Sequence, residues 1–141
     1  MIKIFKLNLV LVLLIITTPL LAKSIYVEEG IELFESKKFI KAKFKFEQDI
    51  VYNPKSELSY LYLSKIFNIK KEKVLEEQNL NTVILLNPKN EEALFNLSKL
   101  KLNSSNYSES KKIIDELLVF CKNYCQKSKK LKNEIEISLK K

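Results

Sequence analysis

Two short stretches of this sequence are near copies of each other: Tyr52-Asn53-Pro54-Lys55 and Leu86-Asn87-Pro88-Lys89, with prolines 34 residues apart. A proline stops a helix, because its ring removes a backbone donor and drives the preceding residue out of the helical region. Two such stops at a fixed interval divide the chain into units of that length. Periods of about 20–50 residues mark repeat architectures, in which one supersecondary unit buries its apolar face only against the next. The only glycine is Gly30, and the only other proline is Pro19. A fold of many short strands needs a supply of turn residues at special dihedrals, and this chain lacks one. The expected fold class is all-α.

Apolar periodicity divides the chain in the same way. Tyr26, Ile31, Leu33 and Phe34 line a first helix, and Ile40, Phe44, Phe46 and Ile50 a second. Leu58, Leu61, Leu63 and Phe67 come next, then Val74, Leu75, Leu80 and Val83–Leu86. Leu94, Phe95, Leu97, Leu100 and Leu102 mark a fifth helix; Ile113, Ile114, Leu117, Leu118 and Phe120 mark a sixth. Several are apolar on more than one side, as expected where helices pack both within and between repeats. Breaks are predicted at Ser36-Lys37-Lys38, Asn53-Pro54, Ile69–Lys71, Asn87-Pro88 and Asn103–Asn106. A seventh helix over 126–139 carries Leu131, Ile135 and Leu139 on one side. Lys127, Lys129, Lys130, Lys132 and Glu134 form its other side. Terminal repeats need a polar outer face, so this helix reads as a cap, with contact to anionic lipid as the alternative.

Upstream of Pro54 stand Phe46, Ala42, Gly30 and Tyr26. This order of aromatic, glycine, small residue, aromatic and proline resembles the tetratricopeptide repeat, a family of 34-residue helix–turn–helix units. The resemblance implies an α-solenoid of about three repeats, at 23–56, 57–90 and 91–124, and a Lys-rich capping helix at 125–141. Gly30 and Ala42 would let the first two helices approach, and Phe46 would fill the space between them. The second unit keeps Tyr60, Ser64 and Pro88 but has Glu76 where a small residue is expected. The third keeps Leu94, Leu97, Ser98, Ser110 and Ile114, with Lys122 in place of the proline. In this family the first helix of each pair lines a concave groove. Carried over by register, that groove comprises Val27, Ile31, Phe34, Leu58, Leu61, Lys65, Asn68, Phe95, Lys99 and Leu102. It would be mostly apolar and would hold a partner peptide or helix, although each of these residues could instead pack between repeats. Some members of the family grip an acidic C-terminal peptide through Lys, Asn and Arg. Lys65 and Lys99 are only a fragment of that set, so that ligand is not implied.

The first 22 residues read as an export signal. Lys3 and Lys6 precede an apolar run, Leu7–Ile16, then Thr17-Thr18-Pro19 and Leu20-Leu21-Ala22. Basic, apolar and small-residue regions in that order are the layout of a secretory signal. Cleavage after Ala22 would free a chain starting at Lys23, although Leu20 stands where a small residue is preferred. The alternatives are a retained membrane anchor, for which the apolar stretch is short, and a buried core helix. The expected location is periplasmic or secreted, or the outer face of the inner membrane if the anchor is kept.

Composition bears on function by exclusion. There is no His, which removes the side chain best suited to proton transfer near neutral pH and the commonest metal ligand. No Gly-rich phosphate loop or G-x-S-x-G is present, so neither an enzyme nor a cofactor or metal is expected. The net charge is +8, with 25 lysines and no arginine, and the lysines are spread among 17 carboxylates. Arg supplies most bidentate recognition of phosphate and guanine, so nucleic acid is not the expected partner. Cys121 and Cys125 lie four apart. On a continuous helix their Cβ atoms would be about 5–6 Å apart, where a disulfide wants about 3.8 Å. A bond therefore requires the chain to turn at Lys122–Tyr124; free buried thiols are the main alternative, and redox or metal chemistry a lesser one. The function expected is a non-catalytic protein-interaction module of the bacterial cell envelope. The alternative is a membrane-anchored assembly factor or a scaffold or spacer, with a small-ligand carrier or enzyme behind them.

Overall fold

A computed structural model describes residues 24–140, so the segment expected to be an export signal lies outside the described residues. These form seven helices and no strand: α1 (Ile25–Glu35), α2 (Phe39–Tyr52), α3 (Glu57–Lys70), α4 (Lys73–Leu86), α5 (Glu91–Asn103), α6 (Tyr107–Phe120) and α7 (Cys125–Leu139). Connections are short, so neighbours in sequence pack as antiparallel hairpins. Each helix packs on the next, α1 also touches α3, and α5 also touches α7. The first helices of successive pairs thus share one side, and the chain is the all-α solenoid of helix pairs that its period implies.

The turn inside each pair is built the same way. Lys37, Lys71 and Ser105 adopt left-handed backbone, with φ of 59°, 60° and 60°. The residue after each donates its N–H to a carbonyl near the helix end, from Lys38 to Leu33 O, Glu72 to Phe67 O and Asn106 to Lys101 O. The left-handed residues themselves donate to Phe34, Asn68 and Leu102 carbonyls. This pairing satisfies carbonyls that a helix end leaves open. Between pairs the Asn-Pro-Lys turns close on Asn53 N–H to Asp49 O and Asn87 N–H to Val83 O. The Asn90 side chain then accepts from Ala93 N–H at 2.8 Å and caps α5.

Close approach within pairs occurs at the small residues. A Cβ placed on Gly30 would lie 2.7 Å from Phe46 Cε1, so α1 meets the Phe46 ring where only hydrogen fits. Ala42 and Phe46 are fully buried, and Tyr26 stacks on Tyr52 at 5.5 Å. In the third pair Ser98 and Ser110 are both buried and exchange hydrogen bonds. Ser98 Oγ donates to Ser110 O at 2.9 Å, and Ser110 Oγ donates to Ser98 O at 2.7 Å. A second cluster joins the later helices through Leu80, Val83, Leu94, Leu97, Ile114, Leu117, Leu131 and Ile135.

The apolar periodicity overstates what is buried. α2 buries the stripe Ala42, Phe46 and Asp49. Ile40 and Phe44 lie two residues either side of Ala42, about 200° around the helix, and are exposed. Val74, Leu75 and Leu85 on α4 and Leu139 on α7 are exposed too. α2 and α4, the second helices of their pairs, turn one side outward, and Leu139 lies in the last turn of the terminal helix, so these residues are not core.

Two glutamates tie successive units together. Glu57, the first residue of α3, accepts from the side-chain amides of Asn87 and Asn90 in the next Asn-Pro-Lys turn. Glu91, the first residue of α5, accepts from three consecutive backbone N–H groups, of Lys122, Asn123 and Tyr124, at 2.8–2.9 Å. Those bonds hold the Glu91 carboxyl below the usual glutamate range, the Tyr124 bond most strongly. The chain turns there, and a disulfide joins Cys121 to Cys125 with Cα atoms 5.3 Å apart. The third turn lacks a proline, but a carboxylate and a covalent bond hold it.

Candidate functional site: the concave face

α3 and α5 present an alternating set of polar side chains to the shared side of the solenoid. On α5 Glu92, Asn96, Lys99 and Asn103 recur at helical spacing; on α3 Lys65 and Asn68 do the same. Between them opens a cavity of about 350 Å³, also bounded by Phe34, Ser64, Ile69, Glu76 and Leu100. A second recess of about 230 Å³ lies between α5 and α7, lined by Phe95, Lys99, Lys127, Lys130, Leu131 and Glu134. Lys99 borders both, so the two recesses adjoin along one face.

Of the ten residues assigned to the groove by register, Phe34, Lys65, Asn68 and Lys99 line the larger cavity, and Phe95 lines the smaller with Lys99. Ile31, Leu58 and Leu102 are half-buried and border neither. Val27 and Leu61 are corrections: at 3% and 6% exposed they belong to the core, Leu61 within the cluster around Leu80 and Leu97. Their helices carry the right face to the groove, but at those two positions the neighbouring helix covers it. With them withdrawn, the expected apolar groove is instead lined by amides and charges.

The charges are arranged in part internally. Lys65 pairs with Glu92 at 2.9 Å and lies 4.6 Å over the Tyr62 ring. Tyr62 stacks on Phe46 and meets Phe34 edge-on, which fixes the wall behind Lys65. Glu76 is 4% exposed and accepts from Asn68 Nδ2 at 2.9 Å. Burial pushes its pKa up, against the opposing pull of the Asn68 bond and of Lys73 and Lys99. Lys99 is exposed. Glu76, Glu92, Asn96 and Asn103 were not among the residues assigned by register. The polar stripe 92–96–99–103, at helical spacing on α5, was the signal that could have found three of them. Among the described residues no group of three His, Cys, Asp or Glu side chains is placed to hold a metal ion. The face can offer amide hydrogen bonds and the exposed Lys99 ammonium to a ligand laid along it, with Lys127, Lys130 and Glu134 at the second recess.

No protein-family model and no curated protein sequence matches the chain. Solved structures do. The first TPR of Spaghetti (RPAP3) bound to the HSP90 peptide SRMEEVD shares 16% identity and a TM-score of 0.75, over 83% of this chain and 94% of that one. The TPR2B domain of yeast Sti1 in its pHsp70 complex shares 14% identity and a TM-score of 0.72, over 81% and 98%. The type III secretion chaperone SycD of Yersinia enterocolitica, in complex with a peptide of the translocator YopD, shares 12% identity and a TM-score of 0.74, over 79% and 90%. At this identity the likeness is one of fold, and the fold is that of the tetratricopeptide repeat.

Proposed function

We propose that this protein is a non-catalytic interaction module that takes a segment of a partner polypeptide along its concave face. The observation that carries the reading is the pair of adjoining recesses sharing Lys99. A face of amides, with Lys99 projecting from it, suits a ligand with a hydrogen-bonding backbone and polar side chains better than the apolar face of a helix. Support also comes from the solved structures of like fold, two of which hold a bound peptide. The setting we propose is the bacterial cell envelope, reached through residues 1–22 acting as an export signal or, if retained, as an anchor that fixes the module to the membrane.

The test is site-specific photo-crosslinking in cells of the source organism, with the reactive group at Asn68 or Lys99 and, as control, at Glu116 on α6. Cross-links to one envelope protein from the concave positions alone, lost in an Asn96→Ala/Lys99→Glu chain, are the expected result. Equal cross-linking from all positions would remove the groove reading. Fractionation with N-terminal sequencing checks the setting: a mature chain starting at Lys23 is expected for a cleaved signal, and a cytoplasmic chain starting at Met1 overturns export.

A further inference from the structure

A different edge of the solenoid carries a second surface. The turn between α1 and α2, the first residues of α2 and the end of α3 meet there. Lys37, Lys38, Phe39, Ile40, Lys41 and Lys70 enclose a shallow recess of about 490 Å³ with mostly apolar walls. Ile40 is 78% exposed, and Phe44, one turn further along the same side of α2, is 58% exposed. The recess shares no lining residue with either concave cavity.

Among the described residues six lysines are neutralised in close ion pairs, and those around this recess are not. Lys55, Lys89, Lys99 and Lys122 are unpaired too, but it is Lys37, Lys38, Lys41 and Lys70 that ring this mostly apolar recess. Lys43, Lys45, Lys65, Lys101, Lys111 and Lys132 each hold a carboxylate within 3 Å. Among the described residues no carboxylate lies within 4 Å of the amino groups of Lys37, Lys38, Lys41 or Lys71, and Lys70 has only Glu72 at 3.5 Å. Exposed aliphatic and aromatic side chains ringed by cations without counter-charges need a partner that is apolar beneath and anionic above. A lipid bilayer with acidic headgroups has that layering: lysine stems lie along the apolar layer while their amino groups stay among the phosphates.

We propose that this edge docks on an anionic membrane surface, with Ile40 and Phe44 entering the headgroup layer and Lys37, Lys38, Lys41, Lys70 and Lys71 meeting lipid phosphates. Docking there leaves the concave face open, so the chain binds a partner and a membrane at the same time.

The sequence contains no tryptophan, so Ile40→Trp in the full chain gives a single reporter inside the surface. The reporter reads the environment of residue 40 and therefore ignores any binding by residues 1–22. On vesicles of phosphatidylcholine with one-quarter phosphatidylglycerol, its emission shifts to shorter wavelength; on pure phosphatidylcholine it does not. Replacing Lys37, Lys38, Lys41 and Lys71 by Gln in that chain lowers the vesicle affinity read by the shift about fivefold per lysine. The same number of replacements on the opposite edge, at Lys55, Lys89, Lys122 and Lys129, leaves it within a few-fold. All these sites are exposed, and far-ultraviolet circular dichroism confirms that each variant is folded. An unshifted reporter on the acidic vesicles, an equal shift on neutral ones, or equal losses from the two sets of lysines would each overturn the proposal. So would a shift produced by a single-stranded oligonucleotide and not by vesicles.

Discussion

Replacing Gly30 by Ala usually strengthens a helix, because Gly in a helix interior costs about 1 kcal/mol relative to Ala. Here the opposite sign is expected. The added Cβ would sit 2.7 Å from Phe46 Cε1 and 2.9 Å from Cδ1 and Cζ, below any ordinary contact. The ring has little room to yield: it is fully buried, lies 5.0 Å from the Tyr62 ring at 18°, and packs among Ala42, Leu63, Ile66 and Phe67. Overpacking costs about 1–3 kcal/mol, so after the propensity gain Gly30→Ala is expected to destabilise by up to about 2 kcal/mol. In a domain of this size that lowers the thermal midpoint by about 3–5 °C per kcal/mol. The Phe46→Leu background removes the ring atoms in question. Gly30→Ala should then stabilise by about 1 kcal/mol, giving a coupling of about 1–3 kcal/mol. The assay is thermal and urea unfolding of the four chains, monitored by far-ultraviolet circular dichroism. Gly30→Ala that raises the midpoint in the wild-type background, or no coupling to Phe46, would refute the close approach of α1 and α2 at this point.

Three other expectations rest on the geometry. Burial raises the Glu76 pKa, so the folded chain binds that proton more tightly than the unfolded one. The resulting stability is full below the unfolded pKa and is lost as pH rises through the raised value. Glu76→Gln should therefore gain on the wild type in urea midpoint from about pH 4 to 7, and a wild type that gains instead would contradict the buried carboxylate. Lys71 holds a left-handed backbone, a conformation costing most side chains about 1–2 kcal/mol. Lys71→Gly should raise stability by up to about 1 kcal/mol once the added freedom of the unfolded chain is counted, and a lower midpoint would count against that turn. The disulfide closes a loop from Cys121 to Cys125, so reductant should cost about 2 kcal/mol at most. A Cys121→Ser/Cys125→Ser chain should not respond to reductant at all, and complete unfolding of the reduced wild type would show that the bond does more than close a short loop.

The parts of the fold that a reader of the sequence could find are those set by contact between helix axes. Gly30, Ala42, Ser98 and Ser110 are small and stand buried where the helices of a pair approach, so residue size marks them. The turns within pairs were legible as breaks, but their left-handed backbone was not, because Lys37, Lys71 and Ser105 fill positions that glycine usually signals; their common 34-residue spacing is the remaining clue. Periodicity counted Ile40, Phe44, Val74 and Leu85 as core, since it registers apolar residues but not how many sides of a helix have neighbours. The groove was legible as a face and less so as a set of residues. Val27 and Leu61 lie on the helices that form it, yet a fraction of a turn separates a residue that lines a cavity from one covered by the next repeat. Glu92, Asn96 and Asn103 form a stripe visible in the sequence, but only the packing of the pairs shows that α3 stands opposite it.

Glu57 and Glu91 have a consequence for how the chain tolerates change in length. Each carboxylate grips a turn 30 to 33 residues further along, and a side chain reaches only a few ångströms. One residue inserted in the intervening helices would rotate the downstream chain by about 100° and advance it by about 1.5 Å, which carries the turn out of the grip. The two glutamates therefore act as length gauges: single insertions or deletions within the second and third pairs break a clasp, whereas adding or removing a whole unit that begins with Glu preserves one. The last turn shows the gauge outliving the proline, for Lys122 stands where the earlier turns have Pro54 and Pro88, and Glu91 still measures the interval.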